Sequence, residues 1–217
     1  MTKLKLLWIM LGVIGGLLFF WLFPLKLLSR LAASFGHSAP CPASLDWLVD
    51  LPVRRRYMRP ILDRVGIRTG ERILELGPGP GAFTVDAAQR VGPDGRLIAV
   101  DIQPKMIAQV EKRIQDAGLT NVETHVADAY HLPLDDASVD RAFLVTVLPE
   151  IPDQARALAE LRRVIKPDGI LSITEEFYDP DYPFAFETIR RVEAAGFRLE
   201  QRFGNWWIYT LNFTTDA

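Results

Sequence analysis

Glu75-Leu76-Gly77-Pro78-Gly79-Pro80-Gly81 is the stretch of sequence that decides the fold of this chain. It follows a short apolar run, Arg72–Leu76, and precedes a stretch with helical spacing, Ala82–Val91. Glycines allow a strand-to-helix turn to approach a ligand closely, and the helix that follows begins with free N–H groups. The segment therefore predicts a ligand-binding turn between a strand and a helix.

Apolar runs and helical stretches continue to alternate after this turn. They predict strands at 96–100, 122–126, 139–145 and 170–175 and helices at 105–117, 153–165 and 184–195. Such alternation is typical of a parallel sheet with crossover helices. The last two runs, 197–203 and 206–213, are joined by Gly204-Asn205, which favours an antiparallel hairpin. We therefore expect an α/β fold with a doubly wound, seven-stranded, mostly parallel sheet and a C-terminal antiparallel hairpin.

The glycine turn by itself does not identify the ligand. Gly77, Gly79 and Ala82 also satisfy the GxGxxA form of a dinucleotide-binding turn, and Asp101, at the end of the second strand, would suit a ribose in either case. A dehydrogenase would usually need a second domain, and no tyrosine here has a lysine four residues later. No GxxxxGK[ST] loop is present, and the three histidines do not have the spacing of a metal site, so we expect no metal.

Four stretches together resemble the class I S-adenosylmethionine-dependent methyltransferases. They are the acidic residue and glycines at 75–81, then 101–106 and 127–129, and the run 161–171 that leads into the fifth strand. The resemblance covers roughly residues 55–217 and includes the terminal hairpin. It implies a Rossmann-like methyltransferase with S-adenosyl-L-methionine as its cofactor.

The resemblance also implies roles for particular residues. Glu75 and the glycine turn would surround the methionine part of the cofactor, Asp101 would bind the ribose, and Asp128 would bind the adenine amino group. The expected cofactor-binding residues are Glu75, Gly77, Pro78, Gly79, Gly81, Asp101, Ile102, Asp128, Ala129 and Thr146. A carboxylate after the fourth or fifth strand could orient or deprotonate the acceptor, so Glu150 and Glu175 are the candidate catalytic residues.

The first thirty residues differ from the rest in composition. Eighteen residues, Leu6 to Phe23, carry no charge, and basic residues flank them. This run approaches the length of a bilayer core and predicts one transmembrane helix, with a cleaved signal peptide as the alternative. We expect a membrane anchor at 1–30, a linker with basic juxtamembrane helices at 31–69 and a methyltransferase domain at 70–217.

Charge is divided unevenly along the chain. Residues 1–72 hold eleven Lys/Arg against four Asp/Glu, and residues 73–217 hold fourteen against twenty-three. The acidic domain would repel phosphates, which argues against nucleic acid as a partner, and the basic segment favours an anionic membrane surface.

Together these features predict a single-pass membrane protein with its catalytic domain in the cytoplasm, where the cofactor is made. The partners expected are the bilayer and a small-molecule or lipid acceptor that is apolar or partitions into the membrane, such as a phospholipid amine, a quinone precursor or an apolar thiol. The alternatives are a methyltransferase of a soluble small molecule and a membrane protein that binds S-adenosylmethionine without catalysis.

Overall fold

Seven strands form one sheet in the computed structural model, which describes residues 2–20, 24 and 52–215. The strands are β1 (Arg72–Leu76), β2 (Arg96–Asp101), β3 (Val122–Val126), β4 (Val139–Val145), β5 (Ile165–Glu176), β6 (Phe197–Gly204) and β7 (Ile208–Thr215). Their order across the sheet is β3-β2-β1-β4-β5-β7-β6. The first five strands run parallel, and β7 is antiparallel to both β5 and β6. The predicted parallel sheet with a terminal hairpin is confirmed.

Helices cover both faces of the sheet. They are α2 (Pro52–Met58), α3 (Ile61–Val65), α4 (Thr84–Val91), α5 (Pro104–Asp116), α6 (Gln154–Val164) and α7 (Ala185–Ala194). Successive strand residues point to opposite faces. Accordingly, Ile73 packs in the cluster that contains residues of α2, α3 and α4, whereas Leu74 packs in the cluster that contains residues of α6 and α7. Helices α2 and α3, which fall in the predicted basic juxtamembrane segment, thus contribute to the core of the domain.

The strand order reverses at β1, which has β2 on one side and β4 on the other. The connections from β1 therefore diverge to the two halves of the sheet, and a crevice opens beyond the carboxyl ends of these strands. This is the edge at which the glycine turn, Asp101, Asp128 and the residues after β4 all lie. The fold thus gathers the predicted site residues at one edge.

The N-terminal helix α1 is described over Thr2–Phe20. Among the described residues, no helix has both the length and the hydropathy needed to cross a membrane. The predicted transmembrane helix is therefore not found there. Residues 21–23 and 25–51, on which the rest of the anchor and most of the linker fall, lie outside the described residues.

Candidate active site

A cavity of about 280 Å³ lies at the carboxyl ends of β1 to β4. Nine of the ten predicted cofactor-binding residues line it: Glu75, Gly77, Pro78, Gly79, Asp101, Ile102, Asp128, Ala129 and Thr146. The tenth predicted residue, Gly81, does not line the cavity. A Cβ atom on Gly81 would lie 3.2 Å from Cδ of Arg113, so this glycine allows the turn to pack against α5.

The glycine turn needs its glycines for two different reasons. Gly77 has φ +70°, and a Cβ there would lie 2.6 Å from Cγ2 of Val147, so a side chain would collide with the chain after β4. Gly79 also has a positive φ, but a Cβ there would meet no protein atom within 4 Å. Since Gly79 lines the cavity, that open space is where a ligand can approach the backbone.

Asp101 joins the end of β2 to the glycine turn. Its Oδ2 accepts a hydrogen bond from the N–H of Gly79 at 3.2 Å, and its Oδ1 accepts one from the N–H of Gln103 at 2.9 Å. Burial raises the pKa of Asp101, whereas the hydrogen bonds from these two N–H groups lower it by a smaller amount. Each carboxylate oxygen can accept a second hydrogen bond. Asp101 can therefore hold the turn and bind a pair of ligand hydroxyls together.

Glu75 is a buried carboxyl with incomplete hydrogen bonding. Its Oε2 has no hydrogen-bond partner among the residues that the structure describes. Burial, with a smaller contribution from the nearby charge of Asp101, raises the pKa of Glu75 to about 7. A buried polar atom without a partner is costly unless a ligand supplies one. A cationic ligand such as S-adenosylmethionine, with its ammonium and sulfonium groups, fits this position.

Asp128 and Ile102 line the side of the cavity next to the ends of β2 and β3. Asp128 accepts a hydrogen bond from the N–H of Tyr130 at 2.8 Å and lies 3.4 Å from Nδ1 of His131. Ile102 is half exposed and presents an apolar surface on the same side. The arrangement suits a flat base that needs both an apolar contact and a hydrogen-bond acceptor.

The chain after β4 forms the opposite wall. Thr146 has a positive φ of 56°, which is rare for a residue other than glycine, and its N–H donates to the carbonyl of Thr174 at 2.8 Å. A short 3₁₀ turn, Leu148–Glu150, follows. Glu150 lines the cavity together with the apolar residues Val145, Val147, Ile151 and Pro152. This wall therefore combines an apolar surface with one carboxylate.

Glu175, the other candidate catalytic residue, does not line the cavity. It has 0% exposure, and neither of its oxygens has a hydrogen-bond partner among the described residues. Burial raises the pKa of Glu175 well above its usual value, as do the charges of Asp179 and Glu150. Glu175 is thus a buried carboxyl outside the cavity, and a catalytic role for it stays a prediction.

Two residues at the β5 side of the site, Arg54 and Tyr57, were not predicted from the sequence. Arg54 of α2 lines the cavity, and its Nε donates to Oε1 of Glu176 at 2.5 Å. The hydroxyl of Tyr57 donates to Oε2 of Glu176 at 2.6 Å. The only sequence signal was the arginine run at 54–56, which we interpreted as a basic helix near a membrane.

Comparisons with known proteins agree with the fold. Residues 74–173 match the family model of a methyltransferase domain. The chain is 31% identical over 142 residues to a demethylmenaquinone methyltransferase of Lactobacillus johnsonii, which covers 65% of this chain and 58% of that protein. It is 29% identical over 155 residues to the ubiquinone/menaquinone biosynthesis C-methyltransferase UbiE of Citrifermentans bemidjiense, covering 71% and 66%. The chain thus spans less than two thirds of the length of these relatives.

Solved structures show how widely the fold is used. A S-adenosylmethionine-dependent methyltransferase from Aquifex aeolicus superposes with a TM-score of 0.74 at 24% identity, covering 80% of this chain and 98% of that one. The [4+2]-cyclase SpnF superposes with a TM-score of 0.66 at 17% identity, covering 94% and 96%. Because the second is named for a different reaction, the fold alone does not determine the chemistry.

The family match and the sheet indicate the class to which residues 74–173 are similar. Residues 74–173 match a methyltransferase domain, and S-adenosyl-L-methionine is the cofactor of the S-adenosylmethionine-dependent methyltransferases that this chain resembles. Within that class it has the seven-stranded Rossmann-like sheet with a C-terminal antiparallel hairpin. The predictions of enzyme class and cofactor are confirmed at this level.

Proposed function

We propose that the protein transfers a methyl group from S-adenosylmethionine to an apolar acceptor of the quinone-precursor class. The observation that carries this proposal is the composition of one cavity. The residues expected to bind the cofactor share it with an apolar wall at 145–152 that contains the single carboxylate Glu150. The names of the relatives, a demethylmenaquinone methyltransferase and UbiE, support a quinone precursor as acceptor.

The chain has two tasks in such a reaction. When bound, S-adenosylmethionine supplies a methyl group on a positively charged sulfur. The protein must hold the acceptor carbon in line with that methyl group and exclude water, which the apolar wall can do. Glu150, which lines the cavity, would accept the proton of an acceptor hydroxyl and so make the ring carbon electron-rich. Methylation at that carbon would be followed by loss of its ring proton to water, which restores the aromatic ring.

A labelling experiment tests the proposed reaction. The purified full chain would be incubated with methyl-labelled S-adenosylmethionine and either a total membrane lipid extract or a pool of water-soluble metabolites. We expect label in the quinone fraction of the lipid extract. Label confined to water-soluble products would contradict an apolar acceptor. Tight cofactor binding without label in either pool would instead favour a non-catalytic binding protein.

We also propose that the chain associates with a membrane through α1 and keeps its catalytic domain on the cytoplasmic side. Every side chain described in α1 is exposed, and most are large and apolar. Exposed apolar surface of this extent is typical of an interaction with lipid or protein.

We expect the full chain to float with phospholipid vesicles and an Ile9→Lys, Leu17→Lys variant to remain in solution. Equal flotation of both proteins would contradict membrane attachment by α1.

Cofactor affinity should depend on pH through Glu75. Because its pKa is raised to about 7, Glu75 is mostly neutral at about pH 6 and mostly ionised at about pH 8. The ionised form attracts the cationic cofactor, so affinity should rise several-fold over this range. Calorimetry at both pH values measures the cofactor affinity of the wild type and of Glu75→Gln. The variant shows how much of the pH dependence comes from titration of the ligand itself. A parallel pH dependence in both proteins would exclude Glu75 as its source.

A further inference from the structure

We propose that Arg54 binds the carboxylate at the amino-acid end of S-adenosylmethionine and that Glu176 and Tyr57 position its guanidinium group. Helix α2 would then complete the cofactor site. The inference rests on the proposed use of this cofactor. All three residues lie outside residues 74–173, so the family match does not include them.

The charges around the cavity make Arg54 the natural partner of a carboxylate. Among the lining residues that the structure describes, Arg54 is the only Lys or Arg, whereas four are acidic: Glu75, Asp101, Asp128 and Glu150. These acids suit the ammonium and sulfonium groups and the hydroxyls of the cofactor, but they repel its carboxylate. A carboxylate that leaves water needs a cation or several N–H groups. A guanidinium provides both and can bind a carboxylate with two parallel hydrogen bonds.

The contacts of Arg54 fix the plane of its guanidinium group. Arg54 is only 6% exposed and Glu176 only 3%. Glu176 lies at the end of β5, so the strand holds its carboxylate in place. Its Oε1 accepts a hydrogen bond from Nε of Arg54 at 2.5 Å, and its Oε2 accepts one from the hydroxyl of Tyr57 at 2.6 Å. A guanidinium has five N–H donors, so a guanidinium that donates to Glu176 can also donate to a ligand carboxylate.

The strand order places Arg54 at the correct end of the cofactor. Asp128 and Asp101 follow β3 and β2, on one side of the glycine turn after β1. Glu176, which holds Arg54, ends β5 on the other side of β1, beyond β4. A nucleoside bound by the two aspartates leaves the amino-acid end of the same molecule pointing toward β4 and β5. Arg54 meets the cavity on that side.

Two ligands that differ only in the carboxylate test the proposal. Affinities of S-adenosylmethionine and decarboxylated S-adenosylmethionine would be measured by calorimetry for the wild-type full chain and for Arg54→Ala. We expect the substitution to weaken S-adenosylmethionine about tenfold to a hundredfold and to change the decarboxylated ligand less than about twofold. Arg56→Ala is the matched control, because Arg56 is exposed on the same helix; it should change neither affinity.

Variants of the two positioning residues separate orientation from charge. Glu176→Gln retains the size of the side chain but loses the ion pair, so it should weaken S-adenosylmethionine several-fold and spare the decarboxylated ligand. Tyr57→Phe should have the same selectivity and a smaller effect. Equal weakening of both ligands by Arg54→Ala would overturn the proposal, as would unchanged affinities with a raised KM for the acceptor. If the wild type bound neither ligand, the proposed function itself would fail.

Discussion

Replacing Glu150 with glutamine should lower kcat for methyl transfer by about a hundredfold to ten-thousandfold. Glutamine has nearly the same shape as glutamate but cannot accept a proton from the acceptor hydroxyl. Glu150 is the carboxylate on the apolar wall of the cavity, next to Val147 and Ile151. Affinity for S-adenosylmethionine should stay within about threefold of the wild type, since the expected cofactor contacts are made elsewhere.

Single-turnover rates with labelled cofactor and a quinone precursor measure this effect directly. The matched control is Glu200→Gln, the same substitution at an exposed position on β6, which should leave kcat unchanged. A Glu150→Gln protein that keeps more than about half of the wild-type kcat would show that Glu150 is not the base. In that case the acceptor would have to react without deprotonation by this residue.

The second large effect is expected at Asp101. Asp101→Ala should lower the affinity for S-adenosylhomocysteine by about a hundredfold or more, because two hydrogen bonds from ribose hydroxyls to a carboxylate contribute about 1.5–3 kcal/mol each. Asp128→Ala should cost about tenfold, since Asp128 is more exposed and the expected contact is a single one. Calorimetry with purified variants gives both values.

Adenosine provides the control for this prediction. Asp101 is expected to contact only the nucleoside, so Asp101→Ala should weaken adenosine and S-adenosylhomocysteine by the same factor. Because the carboxylate also accepts the N–H groups of Gly79 and Gln103, the variant needs a thermal melt to show that it folds. A folded variant that lost S-adenosylhomocysteine but retained adenosine would contradict the assignment of Asp101 to the ribose.

Much of the fold could be predicted because local patterns encode it. The bounds of β1, β3 and β4 are those expected from their apolar runs. The glycine turn and Asp101 could be identified because each lies at a strand end, and parallel strands bring their carboxyl ends to one edge. The cofactor side of the cavity thus follows from spacing along the sequence.

The Arg54–Glu176 pair could not be predicted in this way. The two residues are 122 positions apart, and no spacing rule connects a helix before the sheet with the end of β5. The face of β5 to which each side chain points was also decisive for this pair. Glu175 and Glu176 are neighbours on β5, so they point to opposite faces. The sequence favoured Glu175, but Glu176 is the one that faces α2, and Glu175 faces the side of Tyr182 and Tyr209.

The position of β7 also bears on how the protein is made. β7 lies between β5 and β6 in the sheet, although β6 precedes it in the sequence. While the chain leaves the ribosome, β6 therefore has no neighbour with which to pair, and the edge of β5 stays open until residue 215 has been synthesised. An open edge of this kind can pair with other chains. Interruption of synthesis within β7 would thus leave nascent chains prone to aggregation, even though every residue that lines the cavity had already been made.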